Sequence, residues 1–175
     1  MRARYVVDTN VLIAASTADP TRPSKIDATP ADPALRQEVW TWLDRFVSSE
    51  SRVILDGQGR IMDEYCRKLD FNDFGRQVIL AKMSTSAADF VDLEYDRNDE
   101  AVLPKALAAI VHDGADKKMV AAALASHCRF GEGCVAFAGD TDWHDWEASL
   151  IAHSILLEPI IEAWSRKKHA EKKAR

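Results

Sequence analysis

Two carboxylates stand directly beyond apolar runs short enough to be buried strands. Asp8 follows Tyr5-Val6-Val7, and Gly139-Asp140 follows Cys134-Val135-Ala136-Phe137-Ala138. In an open parallel α/β sheet, ligands bind beyond the carboxyl ends of the strands, so both acids fall where chemistry is done. Asp is also a common helix cap, which gives each of them, taken singly, a structural alternative. Two further carboxylates lie in helical stretches among apolar neighbours: Glu64, between Ile61 and Tyr65, and Asp116, which opens Asp116-Lys117-Lys118-Met119-Val120-Ala121. A helix N-terminus favours negative charge, so Asp116 has the alternative of a first-turn acid, and Glu64 that of an exposed helix position. Four carboxylates drawn together repel one another, and burial pushes their pKa values up. A divalent cation resolves the conflict, because hard oxygen ligands suit Mg²⁺ or Mn²⁺. Such an ion lowers the pKa of bound water and offsets charge on a phosphate as an oxygen leaves. One ion meets these needs, and so do two held about 4 Å apart.

The elements that must position these acids are legible from periodicity and punctuation. The run 5–7 predicts a strand that feeds a helix over Val11–Ala15 through a tight polar elbow. Residues 17–32 carry Pro20, Pro23 and Pro30 among polar residues and read as a surface insertion. Asp32-Pro33 fits an N-cap followed by proline at the first helical position. Leu35, Val39, Leu43, Phe46 and Val47 then recur at helical spacing. A second strand is expected over 52–56, a helix carrying Ile61, Tyr65 and Leu69, and another over about 74–83. Phe90-Val91-Asp92-Leu93 fits a strand or an extended link equally. Helices are expected over 99–111 and 115–127, a strand over 134–138 and a helix to about Ala152. A short strand at 154–157 follows, and Pro159 is expected to open a final helix. Strands alternating with helices argue a parallel sheet covered on both faces.

Composition bounds the function. The chain has 175 residues, 47% hydrophobic and 29% charged, which suits one globular domain. No apolar run approaches the roughly 20 residues that span a bilayer, and the N-terminus turns polar too soon for a secretory signal. Cys66, Cys128 and Cys134 show no CxxC pairing and read as reduced, mostly buried filler. The expectation is a cytoplasmic protein without a membrane partner. Net charge is −5, yet the last ten residues hold six of the 23 basic residues, leaving 17 basic against 27 acidic elsewhere. That tail, 166–175, reads either as a phosphate-attracting appendage or as a solvated helix end. Trp143 and Trp146 are expected in the core. Asp113 is expected to cap a helix, and Asp63 to point away from Glu64.

Together these motifs resemble those of the PIN-domain family of metal-dependent ribonucleases. Val7-Asp8-Thr9-Asn10-Val11-Leu12 is similar to the family's opening motif, Glu64 to its second acid, and Asp116 with Met119-Val120-Ala121 to its third. Gly139-Asp140-Thr141-Asp142-Trp143 is similar to the fourth, and the order holds across residues 5–157. The resemblance implies a three-layer α/β/α fold with a central, mostly parallel sheet of about four to five strands, spanning 1–165. It implies an endoribonuclease that uses Mg²⁺ or Mn²⁺, acts on RNA, and in the toxin members is held by an antitoxin protein; it also suggests a homodimer. On this reading Asp8 and Asp140 are primary metal ligands, and Asp116 is a direct or water-mediated one. Glu64 binds a second ion or orients the attacking water, and Asp142 is an outer acid or an additional ligand. Thr9 and Asn10 are expected to hold the elbow and the Asp8 carboxylate by hydrogen bonds. The segments 17–32 and 84–112 exceed those of the compact toxin members, and Gly139 stands where many members carry a polar residue. A haloacid-dehalogenase-like phosphatase is the nearest enzymatic rival, but it needs a second Asp where this chain has Asn10. A PIN-like scaffold without catalysis is the rival of another class, and retention of all four acids argues against it.

Overall fold

The computed structural model describes residues 1–18 and 28–174. In chain order its elements are β1 (Arg4–Val7), α1 (Thr9–Ser16), α2 (Pro33–Ser48), β2 (Arg52–Asp56), α3 (Arg60–Lys68) and α4 (Phe74–Ser84). After them come β3 (Ala88–Val91), α5 (Lys105–Ala108), α6 (Gly114–Phe130), β4 (Cys134–Phe137), α7 (Trp143–Ala152), β5 (Leu156–Pro159) and α8 (Glu162–Lys173). Most of the Pro-rich insertion expected at 17–32 lies outside the described residues. Among those described, no helix is long and apolar enough to cross a membrane.

All five strands run parallel in one sheet, in the order β3-β2-β1-β4-β5. The central strands show no polar alternation because helices cover both faces, which gives the expected three-layer α/β/α architecture. Tyr5, Val6 and Val7 of β1 and Val135, Ala136 and Phe137 of β4 have no exposed surface. Helices α1, α2 and α4 pack together, while α6 lies along β1, β2, β3 and β4. The edge strands β3 and β5 are only partly covered along most of their length. From β1 the chain goes first to β2 and β3 on one side, then crosses to β4 and β5 on the other. That reversal opens a crevice at the carboxyl ends of β1 and β4, the topological switch point.

Local chemistry accounts for most element ends. Asp32 caps α2 by accepting from the Ala34 amide at 2.9 Å, with Pro33 at the first helical position. Asp56, at the end of β2, caps α3 through both oxygens, accepting from Arg60 N at 2.9 Å and Ile61 N at 2.8 Å. Asp113 caps α6 by accepting from Ala115 N at 2.7 Å, and Gly131 ends that helix at φ 76°.

Three boundaries depart from the sequence reading. Of the helix expected over 99–111, only α5 forms, because Pro104 disfavours helical geometry at Leu103 and lacks an N–H to give. The stretch before it is held instead by an antiparallel bridge between Tyr95 and Ala101. Of the ambiguous segment 90–93, Phe90 and Val91 end β3, paired with β2, while Asp92 and Leu93 lie beyond the strand. Pro159 closes β5 rather than opening a helix; on an edge strand its missing N–H costs no ladder bond. Of the cysteines only Cys134 is buried, and Cys128 is exposed on α6.

Gly75 sets the spacing of α4 on α1, the helix that carries Thr9 and Asn10. A Cβ there would stand 2.5 Å from the Leu12 carbonyl oxygen and 2.7 Å from Leu12 Cα, backbone that cannot swing aside. Gly75→Ala is expected to cost about 1–3 kcal/mol, read as a lower denaturation midpoint at unchanged slope. At Gly57 an added methyl meets only the Asp92 carboxylate oxygen at 3.4 Å and the Val91 carbonyl at 3.7 Å. Gly57→Ala should therefore stay within about 0.5 kcal/mol of the wild type.

Candidate functional site

Asp8 leaves the end of β1 with its amide bonded to Ala136 O of β4 at 2.9 Å, so the backbone ladder itself fixes its position. Only 6% of the residue is exposed, and its Oδ2 is buried without a hydrogen-bond partner among the described residues. Burial drives its pKa up to about 7; the Asp140 and Glu64 charges add to the rise, and the Asn10 amide opposes it. The Trp143 indole also opposes it. Its Nε1 is buried without a closed hydrogen bond, so the indole acts by proximity. Asp116, in the first turn of α6, is pushed to about 8 by burial and then by the charges of Asp8, Asp140, Asp113 and Glu64. Burial raises Asp140 too, against the Asp142 amide, which donates to Asp140 Oδ1 at 2.9 Å. Asp116 thus senses the charges of both Asp8 and Asp140, and Asp8 senses that of Asp140.

Glu64 joins them from α3 but differs in kind. Its Oε1 accepts from Thr9 Oγ1 at 2.6 Å, and its Oε2 is paired with the Lys118 ammonium. Both partners of this pair are buried. Tyr65, the next residue on α3, donates its hydroxyl to Val7 O at 2.5 Å and so pins α3 to the end of β1. Glu64 is thus paired with a buried cation, whereas among the described residues no ion pair involves Asp8, Asp116 or Asp140.

The elbow residues work only partly as expected: the Asn10 backbone amide favours the charged Asp8 carboxylate, but the side chains go elsewhere. The side chains of Thr9 and Asn10 do not hold the Asp8 carboxylate: Thr9 goes to Glu64, and Asn10 Oδ1 accepts from Gly139 N at 2.7 Å. Asn10 thereby ties the turn after β1 to the turn after β4. Gly139 is required there, since a Cβ would stand 2.3 Å from Thr29 O and 2.8 Å from Asn10 Oδ1. This accounts for the glycine that the sequence shows before Asp140.

Asp142 sits at the start of α7 with its carboxylate paired to Lys172 of α8, and its side chain is 44% exposed. It orients Asp140 through its amide rather than joining the buried group. Trp143 and Trp146 are core residues, and Asp63 and His112 are exposed. His144 turns away, its Nε2 meeting Ser165 Oγ at 2.9 Å. The residue missed from sequence is Lys118. Lys118, Ala121, Ala122 and Ala125 recur at helical spacing, so a lysine heads an inward alanine face, and a buried lysine needs a carboxylate.

Among the described residues, no three His, Cys, Asp or Glu side chains stand in ready-made coordinating geometry. The donor set nonetheless fits a hard cation: three carboxylates with raised affinity for positive charge and one buried oxygen with nothing to accept. Compared with family models, curated proteins and solved structures, the chain matches none.

The raised pKa values fix a pH response. Folded Asp8 and Asp116 hold protons up to about pH 7 and 8, against an unfolded value of 3.8, with Asp140 raised in the same direction, so the folded state binds more protons between about pH 4 and pH 8. Their contribution to stability is full below that unfolded value and is lost as pH rises through about 7 to 8. Thermal unfolding in EDTA should therefore show a falling midpoint from pH 5 to pH 8. Asp8→Asn should raise the midpoint at pH 8, by about 2–4 °C per kcal/mol regained. Adding Mn²⁺ to the wild type should raise it more at pH 8 than at pH 6, because protons compete for the same oxygens. A flat profile in EDTA that Asp8→Asn leaves unchanged would contradict this account.

Proposed function

We propose that this protein is a divalent-metal-dependent endoribonuclease of the PIN-domain type. The observation that carries the reading is the buried, unpartnered Oδ2 of Asp8 among Asp116 and Asp140 at the switch point of the sheet. Those three carboxylates would hold Mg²⁺ or Mn²⁺, which supplies Lewis acidity and a nucleophile near neutral pH when bound. Asp140 is oriented for this by the Asp142 amide, and Asp8 by the β1–β4 ladder. Glu64, fixed by Thr9 and Lys118, serves to orient the attacking water rather than to take a second ion. The buried walls formed by Val7, Trp143 and Tyr65 exclude bulk water from one side of the group. RNA as the substrate, and control by an antitoxin protein, follow from the resemblance of the four acidic motifs alone.

Labelled single-stranded RNA and matched DNA, incubated with Mg²⁺, Mn²⁺ or EDTA, test the reading directly. RNA cleavage is expected with either metal, none in EDTA, and at least a 100-fold loss in Asp8→Asn, since removing a group that acts in the transition state costs several kcal/mol. Calorimetry should show Mn²⁺ binding by the wild type and not by Asp8→Asn. A folded wild type that binds no metal would overturn the catalytic reading in favour of a scaffold.

A further inference from the structure

Two clefts flank the acid group, and the order of the strands puts them on opposite sides of it. The first, of about 540 Å³, lies over the β2–β3 side and is lined by Arg60 and Arg67 of α3, Tyr95, Asn98 and Lys118. The second, of about 370 Å³, lies over the β4–β5 side and is lined by Gly139 and Thr141, the neighbours of Asp140, and by Trp164, Lys168 and Lys172 of α8. Each cleft shares a wall with the site: Lys118 is paired to Glu64 in the first, and Lys172 to Asp142 in the second. Asp8 ends the strand between them.

We propose that a single-stranded nucleic acid crosses the carboxyl edge of the sheet from one cleft to the other, with the phosphate to be cut over Asp8. The proposal rests on the nuclease reading and adds the residues that grip the chain on either side. The chemistry of each cleft suits a phosphodiester strand. Arg60 and Arg67 are seven residues apart, two helical turns, so they share a face of α3 about 10 Å apart along its axis. The Arg60 guanidinium lies over the Tyr95 ring, 5.4 Å from its centroid, and is paired to Asp99. Tyr95 is set by its hydroxyl, which donates to Asp56 Oδ2 at 3.3 Å, and its ring lines the cleft as a stacking surface for a base. Arg67 is exposed and has no carboxylate partner among the described residues, so its guanidinium is available for a phosphate. On the far side Trp164, Lys168 and Lys172 recur every four residues along α8, placing one aromatic ring and two ammonium groups on one face. Glu171 lines the same cleft and pairs with Lys168 at 2.8 Å, as Asp142 does with Lys172, exposed pairs that a phosphate can displace. From β3 to β5 is four strand spacings, about 19 Å, a span suited to an extended chain rather than a compact ligand.

The test uses the Asp8→Asn protein, which binds without cutting, and a fluorescein-labelled single-stranded oligoribonucleotide followed by anisotropy across a salt series. Arg67→Ala and Lys168→Ala are introduced separately; both side chains are exposed, and circular dichroism checks the fold. Each is expected to weaken binding about three- to tenfold and to reduce the slope of log affinity against log salt by about 0.7 to 1, the loss of one phosphate contact. If neither variant changes affinity or slope, the path is overturned while cleavage by the wild type stands. If only one does, the strand grips one side and the crossing is overturned. If Asp8→Asn binds no oligonucleotide and the wild type cuts none, the nuclease reading itself fails.

Discussion

The carboxylate of Asp8 is held inside the protein at the end of the central strand, where water cannot solvate it, and its nearest charged neighbours carry the same sign. Much of the surrounding structure serves to keep it there. The β1–β4 ladder fixes its backbone, Tyr65 fixes the end of β1, and the Asn10 amide eases its charge. Burial of like charges in a low-dielectric pocket costs several kcal/mol unless a proton or a cation is taken up. The raised affinities of Asp8, Asp116 and Asp140 for protons express that cost in the metal-free protein.

Among the described residues, the protein supplies cations of its own at two points on the rim of this group and pairs none with Asp8, Asp116 or Asp140. Lys118 neutralises Glu64 within the fold, and Lys172 meets Asp142 at the surface. The two pairs differ energetically. A buried ion pair is costly to break, because it leaves a charge stranded, whereas an exposed one is screened by water and contributes little. Lys118 is therefore part of the architecture, while Lys172 is held loosely enough to exchange Asp142 for another anion.

Helix α8 gives the C-terminal basic residues a place in the fold. Arg166 pairs with Glu147 at 3.1 Å, and Asp145 takes both His169 at 2.9 Å and Lys173 at 2.5 Å, so the helix lies along α7. Each pair is individually weak, but together they turn one face of α8 towards the loop that bears Asp140. A segment that reads as a solvated end becomes one wall of the cleft beside the acids.

The sequence by itself determined the buried central strands, because fully apolar runs such as 5–7 and 134–138 leave no alternative to burial on both faces; the edge strands, β3 left open and β5 expected two residues earlier, were settled only by pairing. It also placed Asp8 and Asp140, since a polar residue after such a run can only fall at the rim. The caps at Asp32 and Asp113 were equally legible, being local hydrogen bonds between residues two apart. Pairings between residues far apart in the chain were not. Thr9 with Glu64, Asn10 with Gly139, and Lys118 with Glu64 are separated by 55, 129 and 54 positions, and no periodicity encodes which distant partner a hydroxyl, amide or ammonium will meet. The same holds for Pro159, whose role turned on β5 being an edge strand. Local patterns fix what each segment must bury. Only the order of the strands in the sheet decides which polar groups meet, because that order is chosen by the packing of the whole core.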